Sequence, residues 1–108
     1  MEIQLLYFED CPSWQNALSN LRTVLKEIDL NIEINLREVK SDKEAQETKF
    51  LGSPSFQLNG QDFWHEERQS YWMNCRVYIT PEGLKGWPTI EILRQKLVEL
   101  ITDKENIK

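Results

Sequence analysis

Hydrophobic and polar positions follow different periods in successive segments of this chain. Residues 3–8 (Ile-Gln-Leu-Leu-Tyr-Phe) carry no charge and are mostly apolar, which predicts a central strand covered on both faces. After Pro12, apolar residues recur every three or four positions as far as Ile28, the period of a helix with one buried face. Pro12 suits the first position of such a helix, because its missing N–H removes no hydrogen bond there.

The next segment predicts a second strand and a short helix. Residues 30–37 alternate strictly between apolar and polar side chains, which is typical of a strand with one solvated face. We expect a helix over about residues 42–51, opened by Ser41 or Asp42 and closed by Gly52.

A hairpin and a long loop follow. Residues 55–58 and 61–64 flank Asn59-Gly60, the pair typical of a type I′ turn between antiparallel strands. Residues 65–74 have no clean period, so we expect a long loop or a helical turn there.

The C-terminal third predicts one short strand and one helix. Residues 75–80 favour a strand that ends at a turn over residues 81–83. A last helix follows residues 86–88 and places apolar side chains on one face between residues 90 and 101. Residues 102–108 are predicted to form a polar, frayed tail.

The order of these elements predicts a single α/β domain over residues 1–108. The first two strands should be parallel and joined by a right-handed crossover, and the hairpin should add antiparallel strands. Helices should cover both faces of a mixed four-stranded sheet. A fifth strand joins it if residues 75–80 pair with the hairpin.

Composition narrows the function classes. The charged fraction of 29% and the apolar fraction of 40% suit a soluble globular protein. A net charge of −5 argues against partners such as nucleic acid or an anionic membrane. The first strand starts almost at Met1 with no signal-peptide pattern, so we expect a cytoplasmic location. Two cysteines are too few for a disulfide scaffold.

Cys11 is the candidate nucleophile, because it lies at the predicted turn between the first strand and the first helix. Pro12 and the geometry of the helix start should hold the thiol exposed to solvent. The helix dipole and free backbone N–H groups should stabilise the Cys11 thiolate. Glu9 and Asp10 oppose this effect, since they place negative charge beside the sulfur. The alternative is a relic cysteine on a scaffold kept for binding.

These features together resemble the thioredoxin/glutaredoxin superfamily. The resemblance covers about residues 1–64 and the final helix, and it rests on the element order, Cys11-Pro12, Pro54 and the Asn59-Gly60 hairpin. The run Tyr-Phe-Glu-Asp-Cys-Pro-Ser-Trp also resembles small bacterial thioredoxin-like proteins, some of which carry selenocysteine at the position of Cys11.

The resemblance implies a thioredoxin-like fold with a particular proline geometry. Pro54 would be cis and would pack beside Cys11, and the Ser53 backbone would receive a bound chain or glutathione. The resemblance leaves glutathione open as a co-substrate and implies no resident cofactor.

Two departures from the family pattern limit the chemistry. The position that holds the second cysteine of a dithiol thioredoxin is Trp14, and Ser13 lies one place too early for a monothiol glutaredoxin. Ordinary Cys-X-X-Cys exchange is therefore excluded. A one-cysteine site remains, or a couple between Cys11 and Cys75.

The distance between Cys11 and Cys75 depends on which residues form the return strand of the hairpin. If residues 61–64 form its return strand, the following loop starts at the same end of the sheet as Cys11. If residues 75–80 form it, Cys75 lies roughly 15–20 Å away, beyond the reach of a disulfide. The tight Asn-Gly turn favours the first arrangement.

Cys75 would then resolve a sulfenic acid or a mixed disulfide on Cys11. The neighbouring Arg76 would stabilise the Cys75 thiolate or bind a substrate carboxylate. The alternative reading of Cys75 is a small apolar residue packed at the start of a strand.

Several aromatic residues and one histidine are further candidates. Trp14, Trp64 and Trp87 fall near the turns at the active-site end of the sheet and either line a groove over the cysteine or belong to the core. Trp72 is a candidate for a partner surface. His65 is a candidate third ligand beside the two cysteines in a metal site, although no close ligand spacing supports it.

Three functions follow from these observations. The first is a thiol redox protein that acts on a thiol or disulfide substrate or partner protein; whether it is an enzyme stays open, as does its oligomeric state. Its catalytic residues would be Cys11 and Cys75, and the residues positioning the substrate would be Pro12, Trp14, Ser53, Pro54 and Arg76. The second is a non-catalytic thioredoxin-like binding module. The third is a handler of thiophilic metals or organomercurials.

Overall fold

Over the residues that the structure describes, 2–106, four strands form one mixed sheet and three helices pack against it. The computed structural model has these elements in order: β1 (Ile3–Tyr7), α1 (Ser13–Glu27), β2 (Ile34–Glu38), α2 (Asp42–Thr48), β3 (Ser55–Leu58), β4 (Gln61–Asp62), β5 (Tyr78–Thr80), β6 (Gly83–Lys85) and α3 (Ile90–Asn106).

The strand order in the main sheet is β2-β1-β3-β4. β1 and β2 run parallel, with Ile3 opposite Ile34, and β3 pairs antiparallel with both β1 and β4. The predicted α/β class, the parallel first pair and the antiparallel hairpin are therefore confirmed. β5 pairs with β6 in a separate two-stranded sheet, so the five-stranded alternative is wrong for the described residues.

Two apolar cores lie on opposite faces of the main sheet. The larger core joins β1 and β3 to α1 and α3, and it includes Ile3, Leu5, Leu21, Phe56 and Leu93. The smaller core joins β1 to α2 on the other face, through Leu6, Val39, Ala45 and Phe50. Alternation along β1 explains the division, because neighbouring side chains of a strand point to opposite faces. Helices on both faces are confirmed.

Capping shifts two of the predicted boundaries. β2 begins at Ile34 rather than residue 30, because the chain leaves α1 through Asp29, whose φ is 55°, and Leu30 N–H still donates to Leu25 O. α2 begins after Ser41, whose hydroxyl accepts from Glu44 N–H at 3.1 Å, as predicted.

The ends of two other elements also differ from the prediction. α2 ends at Thr48, because Lys49 adopts the left-handed conformation that we expected of Gly52. β4 holds only Gln61 and Asp62, and residues 65–74 form the predicted long loop without regular structure.

The last helix is longer than the sequence pattern indicates. α3 continues to Asn106, so the prediction of a frayed tail is wrong for residues 102–106. Residues 107 and 108 lie outside the described part of the chain. Across residues 2–106, no helix combines the length and the apolar character needed to cross a membrane.

Candidate functional site

Cys11 occupies the turn between β1 and α1, as predicted. Its backbone N–H donates to Phe8 O at 3.1 Å, and α1 begins two residues later at Ser13. The Cys11 side chain, however, is only 3% exposed. The expectation that Pro12 and the helix start hold this thiol in contact with water is therefore wrong.

Ser53 and Pro54 lie beside this turn. The Ser53–Pro54 peptide bond is cis, which confirms the conformation that the resemblance implied. Phe8 N–H donates to the Ser53 hydroxyl at 3.2 Å, and the Cys11 thiol donates to Ser53 O at 3.5 Å. The buried cysteine thus contacts the residue that precedes the cis proline.

The segment Asn74–Arg76 pairs with Ser53 from the other side. Ser53 N–H donates to Asn74 O at 2.7 Å, and Arg76 N–H donates to Ser53 O at 2.9 Å, which forms a parallel bridge between Ser53 and Cys75. Cys75 is exposed, and it lies close enough to Cys11 to raise the pKa of that thiol. The predicted proximity of the two cysteines is therefore confirmed, and both are free thiols.

Burial controls the acidity of Cys11. Loss of water, which is the largest cause, and the neighbouring Cys75 side chain together raise the pKa of this thiol to about 11. The Ser53 hydroxyl and the Ser13 N–H lower the pKa by a smaller amount. The expected low pKa is therefore wrong, because desolvation outweighs a single N–H at the helix start.

Arg76 is part of a buried ion pair. Its guanidinium donates to both carboxylate oxygens of Asp62, at 2.9 and 3.1 Å, and to Trp64 O at 2.8 Å. The side chains of Arg76 and Asp62 are 12% and 5% exposed. Both terminal nitrogens of Arg76 therefore have partners within the fold, and its expected service to the Cys75 thiolate or to a substrate carboxylate stays a prediction.

The ion pair holds Cys75 in its place. Arg76 also donates to the Ser55 hydroxyl at 3.2 Å, so it joins the Cys75 segment to β3. The hydroxyl of Tyr78 donates to Pro54 O and ties the same segment to the cis proline. Residues that follow Ser53 in the chain thus fix the segment that carries Cys75.

Gly52 lets this segment approach. Its φ of +119° lies in the region that favours glycine, and an added Cβ would fall 2.8 Å from Asn74 Nδ2 and 2.9 Å from Arg76 Cβ. The sequence pattern pointed to Gly52 as a helix end, and nothing in it indicated Asp62 or Tyr78. These three residues position the site without touching the sulfurs.

The tryptophans near the site are packed rather than open. Trp14 stacks on Tyr7 with ring centroids 4.2 Å apart and packs against the larger core. Trp64 and Trp87 pack against the same core. Of the two interpretations, a groove over the cysteine or a place in the core, the second therefore describes these three tryptophans. Trp72 is 47% exposed, with the Arg68 guanidinium 5.2 Å from its ring centroid.

His65 does not join the cysteines. Its ring nitrogen lies 2.9 Å from a carboxylate oxygen of Glu67. Throughout the described part of the chain, no cluster of three or more His, Cys, Asp or Glu side chains is arranged to hold a metal ion.

The fold and the site define an α/β protein with two adjacent free thiols, one buried and one exposed. Comparisons of the chain with protein-family models, with curated proteins and with solved structures find no match. The functional argument therefore rests on the site itself.

Proposed function

We propose that this protein is a thiol redox protein of thioredoxin-like fold, in which Cys11 and Cys75 alternate between a dithiol and an intramolecular disulfide. Both cysteines adjoin Ser53, Cys11 through the bond from its thiol to Ser53 O and Cys75 through the parallel bridge, and this juxtaposition carries the proposal. A disulfide requires neighbouring backbones and facing side chains, and the shared contact with Ser53 brings the two backbones together.

The thioredoxin-like reading of the fold has separate support. The element order, the sheet order β2-β1-β3-β4 and the cis bond before Pro54 agree with the pattern to which the sequence is similar. The cysteine follows the first strand, and the serine before the cis proline contacts it. A second cysteine reaches this site from a distant loop instead of from the first turn of α1.

The proposed reaction moves two electrons. A substrate disulfide accepts them and leaves as two thiols, while the sulfurs of Cys11 and Cys75 lose two protons and form one S–S bond. A small thiol such as glutathione, acting as co-substrate, returns the protein to the dithiol by two successive exchanges. Reduction of a peroxide gives the same protein disulfide through a sulfenic acid.

Turnover of a protein disulfide tests this function. With insulin as substrate and dithiothreitol as reductant, we expect wild-type protein to accelerate reduction, and Cys11→Ser and Cys75→Ser each to abolish the acceleration. Glu67→Gln, at an exposed position whose carboxylate pairs with His65, is the control and should keep the wild-type rate. Equal rates for wild type and the double serine variant, with both insulin and hydrogen peroxide, would refute the proposal.

A two-coordinate soft metal site is the second candidate. Thiolates are the ligands that thiophilic ions prefer, and an adjacent pair supplies both ligands of a linear complex. Titration with Hg²⁺ should then give one tightly bound ion per chain with release of two protons. Binding that persists in Cys75→Ser would exclude a site made of this pair.

A binding module without chemistry is the third candidate, favoured by the burial of Cys11. It predicts that partner binding persists when both cysteines are replaced by serine. The cytoplasmic location and the identity of the partner stay predictions from the sequence.

A further inference from the structure

We propose that Cys75 is the thiol that attacks the substrate disulfide and that Cys11 is the buried thiol that resolves the mixed disulfide. This assignment rests on the proposed redox function and reverses the roles that the sequence indicates. It makes Cys75 the residue that exchanges with partners. Cys75 belongs to a loop far along the chain from the helix start, which is where such a nucleophile is expected.

Access to the two sulfurs supports this order. An attacking thiolate must line up with the S–S bond of its target, so it needs open space along one direction. Cys11 is 3% exposed, and its thiol faces Ser53 O and the thiol of Cys75. Cys75 is exposed and lies next to it, so a substrate sulfur meets Cys75 first.

The backbone of Ser53 supports the same order. The resemblance assigns this backbone to a bound chain, yet its N–H and C=O are already paired with Asn74 O and Arg76 N–H. The protein's own segment therefore occupies the place of a bound chain, and it carries a cysteine to the position of the substrate sulfur. A substrate disulfide therefore approaches the outer side of that segment, where Cys75 is exposed.

The segment is anchored rather than loose. Met73 N–H donates to an Asp42 carboxylate oxygen at 3.0 Å before the bridge to Ser53. The buried Arg76–Asp62 pair and the hydrogen bond from the Tyr78 hydroxyl to Pro54 O hold the segment after that bridge. Removing it to uncover Cys11 would leave a buried carboxylate without its partner, which is costly. Reaction at Cys75 needs no such opening.

Reaction at Cys75 also prepares Cys11 for its step. Burial is the largest cause of the raised pKa of Cys11, and the side chain of Cys75 adds to it, while the Ser53 hydroxyl and the Ser13 N–H lower the pKa. When Cys75 is held in a mixed disulfide, it no longer carries a proton or a negative charge, and the two lowering groups remain. The buried thiol therefore ionises more easily once the mixed disulfide has formed.

The two steps balance in atoms and electrons. The Cys75 thiolate attacks one sulfur of a substrate disulfide, forms a Cys75–substrate bond and releases the other substrate sulfur as a thiolate that takes a proton. Cys11 then loses its proton to solvent and attacks the Cys75 sulfur, and the second substrate sulfur leaves as a thiol. The substrate gains two electrons, and the pair of cysteines loses them.

Single-cysteine variants test the order. We would react Cys11→Ser and Cys75→Ser separately with an excess of 5,5′-dithiobis(2-nitrobenzoate) at neutral pH and follow the released thionitrobenzoate. Cys11→Ser should react at least about tenfold faster than Cys75→Ser, because access governs exchange, and should keep a stable adduct on Cys75. An equal or faster rate for Cys75→Ser would overturn the assignment, because it would show that the reagent reaches the sulfur of Cys11 at least as easily as that of Cys75.

A second measurement uses the wild-type protein, so that a folding defect in a variant does not decide the result. A short pulse of limiting glutathione disulfide is quenched with acid, and the modified cysteine is identified by peptide mass spectrometry. The proposal expects glutathione on Cys75 at the earliest times, followed by the Cys11–Cys75 disulfide. Glutathione first on Cys11, followed by that disulfide, overturns the order and keeps the redox function. A lasting adduct without the disulfide overturns both.

Discussion

Cys11 lies at a helix start and is nevertheless a weak acid, because the fold removes its water. A turn of helix offers it one N–H, from Ser13, whereas burial removes most of the solvation that a thiolate needs. The sequence showed the helix start clearly. It also favoured a position of Cys75 near Cys11, but it did not indicate that the 74–76 segment would bury the sulfur, since burial depends on residues far along the chain.

Single substitutions should move the pKa of Cys11 in opposite directions. Cys75→Ser lowers it, because the neighbouring thiol that helps to raise it is lost. Ser53→Ala raises it, because a hydroxyl that stabilises the thiolate is lost. Titration of thiolate absorbance in the ultraviolet measures both shifts. A higher pKa in Cys75→Ser would contradict this description of the site.

The raised pKa also predicts how stability depends on pH. Because the pKa of Cys11 is about 11 in the fold and higher than in the unfolded chain, the folded state retains the proton better. The stability that Cys11 contributes is fully present below the pKa that its thiol has in the unfolded chain. It is lost as the pH rises toward the pKa of the same thiol in the folded protein. The free energy of unfolding of the reduced wild type should therefore fall between about pH 8 and about pH 10.5.

Cys11→Ser is the control for this measurement. It keeps Tyr78, whose buried hydroxyl also has a raised pKa, and lacks only the thiol. The loss of stability over the same interval should be smaller in the variant than in wild type. An equal loss in both proteins would show that Cys11 does not contribute.

Among the elements, the segment from Asn74 to Arg76 is the one on which the site depends. It forms no strand of the main sheet, and it is held by one bridge to Ser53 and by one buried ion pair. Gly52 provides the space on one side, and Asp62 in β4 provides the charge on the other. Cys75 is positioned by both.

Gly52→Ala should push this segment away from Ser53. The added Cβ meets Asn74 and Arg76 at 2.8 and 2.9 Å, and the positive φ strains any residue with a side chain. We expect a loss of about 1–3 kcal/mol in the free energy of unfolding, together with slower formation of the Cys11–Cys75 disulfide under diamide.

Gly60→Ala is the matched control, because its φ is also positive, at +88°, and its Cβ meets nothing within 4 Å. This variant should lose stability through backbone strain and still form the disulfide at the wild-type rate. If both variants slow the disulfide equally, strain rather than the position of the segment is responsible.

Arg76→Met should be strongly destabilising. It leaves the buried Asp62 carboxylate without a partner, and such losses amount to about 3–5 kcal/mol. Arg94→Met removes an ion pair to Glu27 in which both side chains are about 40% exposed, and it should cost less than about 1 kcal/mol. Urea unfolding measures both values. A similar small cost for the two variants would contradict the role of Arg76 as an anchor.

At the scale of the whole molecule, the sheet and helices follow closely from local patterns, whereas the site does not. The alternation in β3 and the turn at Asn59-Gly60 were sufficient to predict the hairpin, and the short return strand led to the correct position of Cys75. The role of Arg76 was not predictable, because it depends on Asp62, a residue that only the fold brings near. Long-range pairing of this kind leaves no period in the sequence.

Disulfide mapping of the oxidised chain tests the central claim most directly. The protein is treated with diamide, its remaining thiols are blocked, and its peptides are analysed by mass spectrometry. The proposed couple predicts one bond between Cys11 and Cys75 in a monomer, with both thiols lost together. Chains joined through Cys11 to Cys11 or Cys75 to Cys75, or two thiols that react independently and never with each other, would contradict it.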